Sequence, residues 1–357
     1  TVNISDPRDW ACDLAKEYGL RETVGWSIAT NPLRDNVIDI PTFLEDLDFT
    51  LDNRKKVVMG ELAKEDWDLF AAVFLSTDRM QHMMYRFIDP GHPNYDPVAA
   101  KLYGGQILKI YQKMDAIVGE VMDRYLDDNT TLIIVSDHGF HSFRYGVNLN
   151  TWLVKNGFMT LRGKSNTPSE HKKLDDLFDP EGSFFKNVDW PKTKAYSIGL
   201  GSIYVNLQLR EPQGSVSASE YEDVRQGIID GLKQLQDPRF PDTPVVLDVV
   251  RRDSVFHGPR FLEAPDLLVC FNENYRVSWQ TALGGIPPDI IEDNMDNWSG
   301  DHCSYDPRIT AGIFFCSRKL PDRPRSIQDI GPTVLRYLGI PLPGDFDGKP
   351  LQLSESK

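Results

Sequence analysis

The chain has 357 residues, of which 40% are hydrophobic and 26% are charged, a composition that is ordinary for a globular protein with a packed core. Its formal net charge of −14 argues against a broad nucleic-acid-binding face, which would normally be basic. No apolar run approaches the length of a membrane span, so we expect no insertion into a membrane.

The first third of the chain predicts a long helix followed by a strand. Apolar residues recur at helical spacing between Pro41 and Trp67, with charged residues between them. Asp68 to Thr77 is a nearly continuous apolar run, which is typical of a strand that a parallel sheet buries on both faces. The sequence therefore predicts a change from helix to strand near residue 68.

A second amphipathic helix and a second strand follow. One apolar stripe predicts the helix from about Val98 to Tyr125, and Thr130 to Ser136 predicts the strand. This strand–helix–strand order is the unit from which parallel α/β sheets are built. We therefore predict the α/β class, with a mainly parallel sheet and helices on both faces.

The middle of the chain changes character and predicts an insertion. The polar stretch from Leu161 to Asp189 predicts a loop, and further strands and a helix follow it. Thr310 to Cys316 then predicts a strand of the main sheet again. We place an inserted α+β subdomain at residues 141–295, between the two parts of a metal-binding α/β core at 1–140 and 296–357.

Three short clusters of aspartate and histidine accompany the predicted strands. They are Asp78-Arg79-Met80-Gln81-His82, Asp137-His138 and Gly300-Asp301-His302. Open α/β sheets bind ligands at the carboxyl ends of their strands, so these clusters can converge although they are far apart in sequence. Two carboxylates and three imidazoles suit two divalent ions, zinc by preference and manganese as the alternative.

The spacing within the clusters supports this interpretation. Asp78 and His82 are four residues apart, so a helix that opens directly after the strand places both on one face. Asp137 and His138 need a turn, and Gly139 supplies the backbone freedom for it. Each cluster alone is more often structural, but three together favour a two-metal site, which suits the hydrolysis of phosphate esters.

The other histidines join these clusters less readily. His92 lies in a turn rich in proline and glycine and is predicted to be structural. We expect His141 to be an exposed loop residue and His171 to be solvated. For His257 an ordinary loop position is preferred over a place that faces the site.

Two features near His302 bear on the same site. Cys303 is predicted to be a small buried neighbour rather than a zinc ligand. Asp301 and Asp306 flank His302 and are candidates for partners that orient its imidazole.

The four cysteines are scattered without a C-x-x-C pair, which favours reduced thiols. Thr1 to Pro7 shows no basic region followed by an apolar one, so the sequence displays no signal peptide. A cytoplasmic location is therefore predicted.

The segments around the clusters are similar to the type I phosphodiesterase/nucleotide pyrophosphatase family of the alkaline phosphatase superfamily. The resemblance is carried by Ser76 to His82, Val135 to Phe140, Ser299 to Cys303, Asp329 to Leu335 and Asp347 to Leu351. It runs over nearly the whole chain and implies an alkaline-phosphatase-like fold. It also implies that Asp78, His82 and His302 hold one zinc and that Asp137 and His138 hold the other.

The family further requires an aspartate at the end of a first strand and a serine or threonine nucleophile. The segment from Thr1 to Trp67 contains neither in a recognisable context, although Thr30 and Thr42 offer hydroxyl groups. We therefore identify no catalytic nucleophile and expect this chain to be the carboxyl-terminal portion of a longer enzyme.

Three functions stay open at the level of sequence. The first is hydrolysis of phosphodiester or nucleotide pyrophosphate bonds in a small phosphate ester or nucleotide. The second is a phosphomonoesterase or a phosphoglycerate-mutase-like enzyme, which shares the ligand pattern. The third is a metal-binding fragment without catalytic activity. The sequence gives no indication of the oligomeric state.

Overall fold

The computed structural model of the protein describes residues 4–19, 28–64, 66–163, 167–169, 185–321 and 325–353. It contains two compact units. The first consists of Thr1–Ile88, Asp96–Gly139 and Gly312–Lys357, and the second of Asp89–Tyr95 and Phe140–Ala311. The predicted division into a core and a subdomain at 141–295 stays a prediction. Most of the predicted polar loop at 161–189, including His171, lies outside the described residues.

The helices and strands are as follows. The α-helices are α1 (Trp10–Tyr18), α2 (Thr30–Arg34), α3 (Ile40–Leu62), α4 (Ser76–Met84), α5 (Pro97–Tyr103), α6 (Gln106–Tyr125), α7 (Leu149–Lys155), α8 (Tyr221–Lys233), α9 (Trp279–Ala282) and α10 (Ile330–Tyr337). The strands are β1 (Ile133–Val135), β2 (His141–Val147), β3 (Ala195–Ile198), β4 (Ser202–Val205), β5 (Val246–Arg251), β6 (Leu267–Phe271), β7 (Asn274–Val277), β8 (Ile291–Asp293), β9 (Gly300–Asp301) and β10 (Phe314–Cys316). Within the described ranges, no helix is both long and apolar enough to cross a bilayer.

Helix α3, in the first unit, begins where the sequence supplies a cap. The Asp39 carboxylate accepts a hydrogen bond from the Thr42 N–H at 2.9 Å. Pro41 occupies the first turn, where its missing N–H removes no helical hydrogen bond. The buried face of the helix carries Phe43, Leu47, Leu51, Val58 and Leu62. The predicted helix is therefore confirmed, although it ends five residues before Trp67.

The helix predicted from Val98 to Tyr125 is present as two helices, α5 and α6, which are separated by Gly104 and Gly105. The Asp96 carboxylate caps α5 by accepting from the Val98 N–H at 2.8 Å. A Cβ atom at Gly104 would lie 2.7 Å from the carbonyl oxygen of Ala100. The close approach of this carbonyl favours glycine where α5 ends.

The apolar run from Asp68 to Thr77 does not form a strand, contrary to the prediction. It is irregular as far as Leu75, and α4 begins at Ser76. Phe70 and Phe74 pack against a small apolar cluster of α3 and α6, whereas Val73 is 66% exposed. No described strand pairs with this run. A run of apolar residues becomes a strand only when a neighbouring strand accepts its backbone hydrogen bonds.

The sheets confirm the mixed α/β class but not a mainly parallel arrangement. Strands β1 and β10 are antiparallel, and the sheet of order β3-β4-β6-β5 is antiparallel throughout. In the other sheet β2 pairs with β7, β8 and β9, and β2–β7 is the one parallel pair among the described strands. The short turn between β3 and β4, with Gly199 and Gly201 at positive φ, permits only an antiparallel pair.

The second unit contains one large apolar core around the antiparallel sheet. Its buried residues include Trp152, Leu153, Val205, Ile228, Leu232, Val249, Leu267 and Phe271. A Cβ atom at Gly231 would lie 2.7 Å from the Trp152 ring, so glycine allows α8 to approach this indole closely. The large core indicates that hydrophobic burial supplies most of the stabilisation of this unit.

A buried carboxylate ties three elements of the second unit together. Asp266 accepts two hydrogen bonds from the Arg210 guanidinium, at 3.0 and 2.7 Å. It also accepts from the Tyr221 hydroxyl at 2.6 Å and from the Val205 N–H at 2.7 Å, and the Arg252 guanidinium lies 3.0 Å away. Burial alone would raise the pKa of Asp266, but these donors hold it below its usual value.

Removing the charge of Asp266 should therefore destabilise the second unit. Asp266→Asn leaves the buried Arg252 guanidinium and the partly buried Arg210 guanidinium without this carboxylate, so we expect the free energy of unfolding to fall by about 3–5 kcal/mol. The matched control is Glu263→Gln, which removes a carboxylate from an ion pair whose side chains are 84% and 67% exposed. We expect that change to cost less than about 1 kcal/mol in urea unfolding. Equal losses in both variants would contradict this assignment.

The same contact predicts a dependence on pH. Because the folded-state pKa of Asp266 lies below the unfolded value near 3.8, its stabilising contribution is present above that value. It is lost as the pH falls through the lowered folded-state value. When the pH is lowered from about 7 to about 3, the free energy of unfolding should therefore fall less for the Asp266→Asn variant than for the unsubstituted protein.

Candidate metal centre

Helix α4 presents Asp78 and His82 on one face of the first unit. Asp78 lies in the first turn and His82 in the last, so the predicted helix after the apolar run is confirmed. The His82 Nε2 atom lies 3.4 Å from Asp78 Oδ1. A tetrahedral zinc with ligand bonds of about 2.0–2.1 Å separates its ligand atoms by about 3.4 Å. The spacing of these two atoms therefore fits a shared zinc ion.

The second oxygen of Asp78 has a different neighbour. Arg79 lies 3.2 Å from Asp78 Oδ2, and its side chain is largely buried. Burial lowers the pKa of Arg79, but the group keeps its charge at neutral pH. The ion pair orients the Asp78 carboxylate, so that Oδ2 faces Arg79 and Oδ1 faces the His82 imidazole. Sequence reasoning missed this role of Arg79, and its position next to Asp78 is the only signal that the sequence offers.

Strand β1 ends immediately before Asp137 and His138. The register of β1 with β10 pairs Val135 with Phe314. One residue further, the Ser136 N–H donates to the Ile313 carbonyl at 3.1 Å, and the Ile313 N–H donates to Ser136 Oγ at 2.8 Å. These hydrogen bonds fix the backbone up to the residue before Asp137.

The imidazole of His138 also faces Asp78. His138 Nε2 lies 3.9 Å from Asp78 Oδ1 and 3.6 Å from Asp137 Oδ2. His138 Nδ1 lies 3.0 Å from the Gly139 carbonyl oxygen, and we assign it as the donor to that acceptor. This tautomer leaves the lone pair of Nε2 directed at the carboxylates, which is the arrangement of a metal-binding histidine. The side chain of Asp137 is 80% exposed, so its second oxygen is accessible to solvent or an ion.

Four of the five predicted ligands thus lie together in the first unit. They are Asp78, His82, Asp137 and His138. Two imidazole nitrogens and two carboxylates are donor types that suit zinc, and Asp78 lies within 4 Å of both imidazoles. The fifth predicted ligand, His302, belongs to the second unit, and its place in the metal centre stays a prediction.

His302 directly follows strand β9 and contacts other residues of the second unit. Its ring meets Phe140 edge-on, with centroids 5.3 Å apart. The side-chain ligand atoms of Asp301, His302 and Cys303 lie within 4.8 Å of one another. Burial raises the pKa of the Cys303 thiol to about 12. The role of Cys303 as a neighbour rather than a ligand stays a prediction.

The remaining histidines have other roles. His92 is structural as predicted, because its Nδ1 accepts from the Asn94 N–H at 3.0 Å and its Nε2 donates to the Phe143 carbonyl at 2.9 Å. The prediction for His141 was wrong, since it is buried at the start of β2 and burial lowers its pKa. Strand β2 has partners on both edges, and the sequence gives no sign of them. His257 is exposed.

No nucleophile is assigned among the described residues. Thr30 is buried, and its hydroxyl donates to the Ile28 carbonyl at 3.4 Å. Thr42 is exposed in the first turn of α3. The carboxylate beside Thr42 is that of Asp39, which caps α3, and neither threonine is assigned as a serine- or threonine-type nucleophile.

Comparison with known proteins places these residues in a family context. The family described as Type I phosphodiesterase / nucleotide pyrophosphatase matches residues 3–284, a range that includes Asp78, His82, Asp137 and His138 but ends before His302. The 2,3-bisphosphoglycerate-independent phosphoglycerate mutase of Onchocerca volvulus is 30% identical over 112 residues. That match covers 29% of this chain and 22% of the mutase, so the chain matches only about a fifth of the mutase's length.

The packing of Gly312, just before β10, against the residue that follows β1 should affect the zinc affinity. A Cβ atom at Gly312 would lie 2.6 Å from the Ser136 carbonyl oxygen, next to Asp137. Gly312→Ala should displace this backbone and weaken zinc binding by about tenfold or more. Competition with a chromogenic zinc chelator measures the effect.

Gly119→Ala is the matched control for that experiment. Gly119 lies in α6, and a Cβ atom there meets nothing within 4 Å. This variant should gain about 0.5–1 kcal/mol of stability and keep its zinc affinity. The same zinc affinity in both glycine variants would show that the β1–β10 contact does not position Asp137.

Proposed function

This chain belongs to the type I phosphodiesterase/nucleotide pyrophosphatase family, and we propose that it acts in the metal-dependent hydrolysis of phosphodiester or nucleotide pyrophosphate bonds. The observation that carries the proposal is the approach of two Nε2 atoms, of His82 and His138, to the same oxygen of Asp78. Imidazole nitrogens and a carboxylate that approach each other in this way are suited to hold divalent cations between them.

The proposal assigns the ligands as the family resemblance implies. Asp78, His82 and His302 would hold one zinc, and Asp137 and His138 would take part in holding the other, with manganese as the alternative ion. When bound, such ions stabilise the charge on phosphoryl oxygens and on the attacking and leaving oxygens. No serine or threonine of this chain is assigned as the nucleophile.

The charges of the cluster make substrate binding depend on the metal. Without a cation, Asp78 and Asp137 present two negative charges, and the chain as a whole carries −14. A phosphate ester would be repelled by such a site. Two divalent ions reverse the local sign, and Arg79 adds a third source of positive charge beside Asp78. The substrate should therefore be a small phosphodiester or nucleotide that binds only after the metal.

The location of the protein is part of the proposal. All four cysteines are free, Cys12, Cys270, Cys303 and Cys316. Free thiols in such number are typical of a reducing compartment, which supports a cytoplasmic location.

A second candidate function rests on the similarity to the phosphoglycerate mutase. The mutase match suggests that the chain could act on a phosphate monoester instead. The same metal ligands would serve that reaction, so the substrate distinguishes the two proposals.

Hydrolysis of a chromogenic phosphodiester beside its monoester tests the function. We would assay bis(p-nitrophenyl) phosphate and p-nitrophenyl phosphate with this chain and added zinc, and 3-phosphoglycerate as a mutase substrate. We expect slow turnover, because no nucleophile is assigned in this chain, with a preference for the diester. Preference for the monoester, or interconversion of phosphoglycerates, would support the second candidate. Bound zinc without turnover of any substrate would contradict both and support a metal-binding protein without catalytic activity.

Removal of His302 tests the ligand assignment. His302→Ala should reduce the bound zinc from two ions per chain to one and remove most hydrolytic activity, because one ion loses a ligand. His257→Ala is the matched control, since that histidine is exposed and not assigned to the site. Zinc content is measured by inductively coupled plasma mass spectrometry after dialysis. Full zinc content in His302→Ala would overturn the assignment.

A further inference from the structure

The carboxylate of Asp301 lies in the second unit with no exposed surface. Its Oδ1 atom accepts hydrogen bonds from the N–H groups of His302 and Cys303, at 2.7 and 2.8 Å. Its Oδ2 atom accepts from Trp298 Nε1 at 2.7 Å and forms an ion pair with Arg276 Nε at 2.8 Å. One oxygen therefore accepts from the backbone around His302, and the other contacts the side chains of Trp298 and Arg276.

The cation of this pair cannot move easily. Arg276 belongs to β7, is buried, and donates to the Val277 carbonyl at 2.8 Å. Its guanidinium lies 4.6 Å from the centroid of the Phe143 ring and 4.2 Å from that of the Trp279 ring. Two aromatic rings and a hydrogen bond thus hold the Arg276 guanidinium in place as the ion-pair partner of Asp301.

The sheet holds Asp301 from the other side as well. Strand β9 pairs with β2, in a register that places Asp301 opposite His141. The sheet therefore fixes the backbone before His302, and the Asp301 carboxylate fixes the backbone at His302 and Cys303. The Phe140 ring then restricts the imidazole itself.

We propose that Asp301 is a positioning residue for His302, acting through the backbone N–H groups of residues 302 and 303. This inference rests on the proposed function, because it needs His302 to be a metal ligand. Ligands bind a metal tightly only when the surrounding structure holds them in place. A buried ion pair adds little stability by itself, but it can specify one conformation of the chain beside it.

Asp306 offers a matched comparison in the same segment. Its carboxylate is also buried, and Oδ1 accepts from the Arg308 N–H at 2.9 Å and from Arg308 Nε at 2.8 Å. It therefore organises the turn that follows, with an arginine that is itself exposed. Loss of its charge removes a buried carboxylate without changing the hydrogen bonds of the His302 and Cys303 N–H groups.

The experiment compares Asp301→Asn with Asp306→Asn in the full chain, with Zn²⁺ alone as the ligand. Chelator competition gives the zinc affinity, and urea unfolding of the metal-free chain gives the stability. We expect both variants to lose stability and only Asp301→Asn to lose zinc affinity, by about 10- to 100-fold. Unchanged zinc affinity in Asp301→Asn, or equal losses in both variants, would overturn the proposal.

A milder variant covers the case in which Asp301→Asn does not fold. Trp298→Phe removes the Nε1–H donor to Asp301 and part of the ring volume, and it keeps an aromatic ring beside Trp279. It should fold and bind zinc several-fold more weakly, and an unchanged affinity would overturn the proposal. His302→Ala separates this inference from the proposed function. If His302→Ala keeps all its zinc, the ligand assignment fails, whereas zinc loss there with unchanged affinity in Asp301→Asn refutes only the role of Asp301.

Discussion

The Nε2 atoms of His82 and His138 both approach one carboxylate oxygen, Oδ1 of Asp78, and the proposed metal centre depends on this shared approach. Two imidazole lone pairs and a carboxylate repel one another unless a proton or a cation lies among them. The orientation of His138 through the Gly139 carbonyl favours the cation, because it directs Nε2 toward the carboxylates.

The protein holds its candidate ligands by different physical means. The geometry of α4 alone sets the distance between Asp78 and His82, because residues four apart share a helix face. A turn anchored on β10 sets the position of His138. A buried carboxylate fixes the backbone at His302. The helix-held pair should tolerate changes elsewhere in the chain, whereas the other two ligands depend on contacts that are distant in sequence.

Local features of the site could be predicted from the sequence. The four-residue spacing of Asp78 and His82 predicted their common helix face, because helical periodicity is a property of neighbours along the chain. The end of an apolar run likewise predicted a strand before Asp137, although β1 is only three residues long. These predictions required no knowledge of distant segments.

Features that depend on pairing between distant segments could not be predicted. The apolar run before α4 looks like a buried strand, yet no described strand accepts its hydrogen bonds. His141 looked like a loop residue because nothing in its neighbourhood shows that β2 has partners on both edges. Arg276 stands in an unremarkable stretch, and its burial against two rings and Asp301 arises only from tertiary packing.

Anomalous diffraction at the zinc edge, from crystals of this chain grown with zinc, tests the metal centre most directly. We predict a peak about 2 Å from Asp78 Oδ1 and from His82 Nε2, with a second ion bound by Asp137 and His138. Zinc found only at other side chains, with no peak beside Asp78, would contradict the metal centre and the proposed hydrolase function with it.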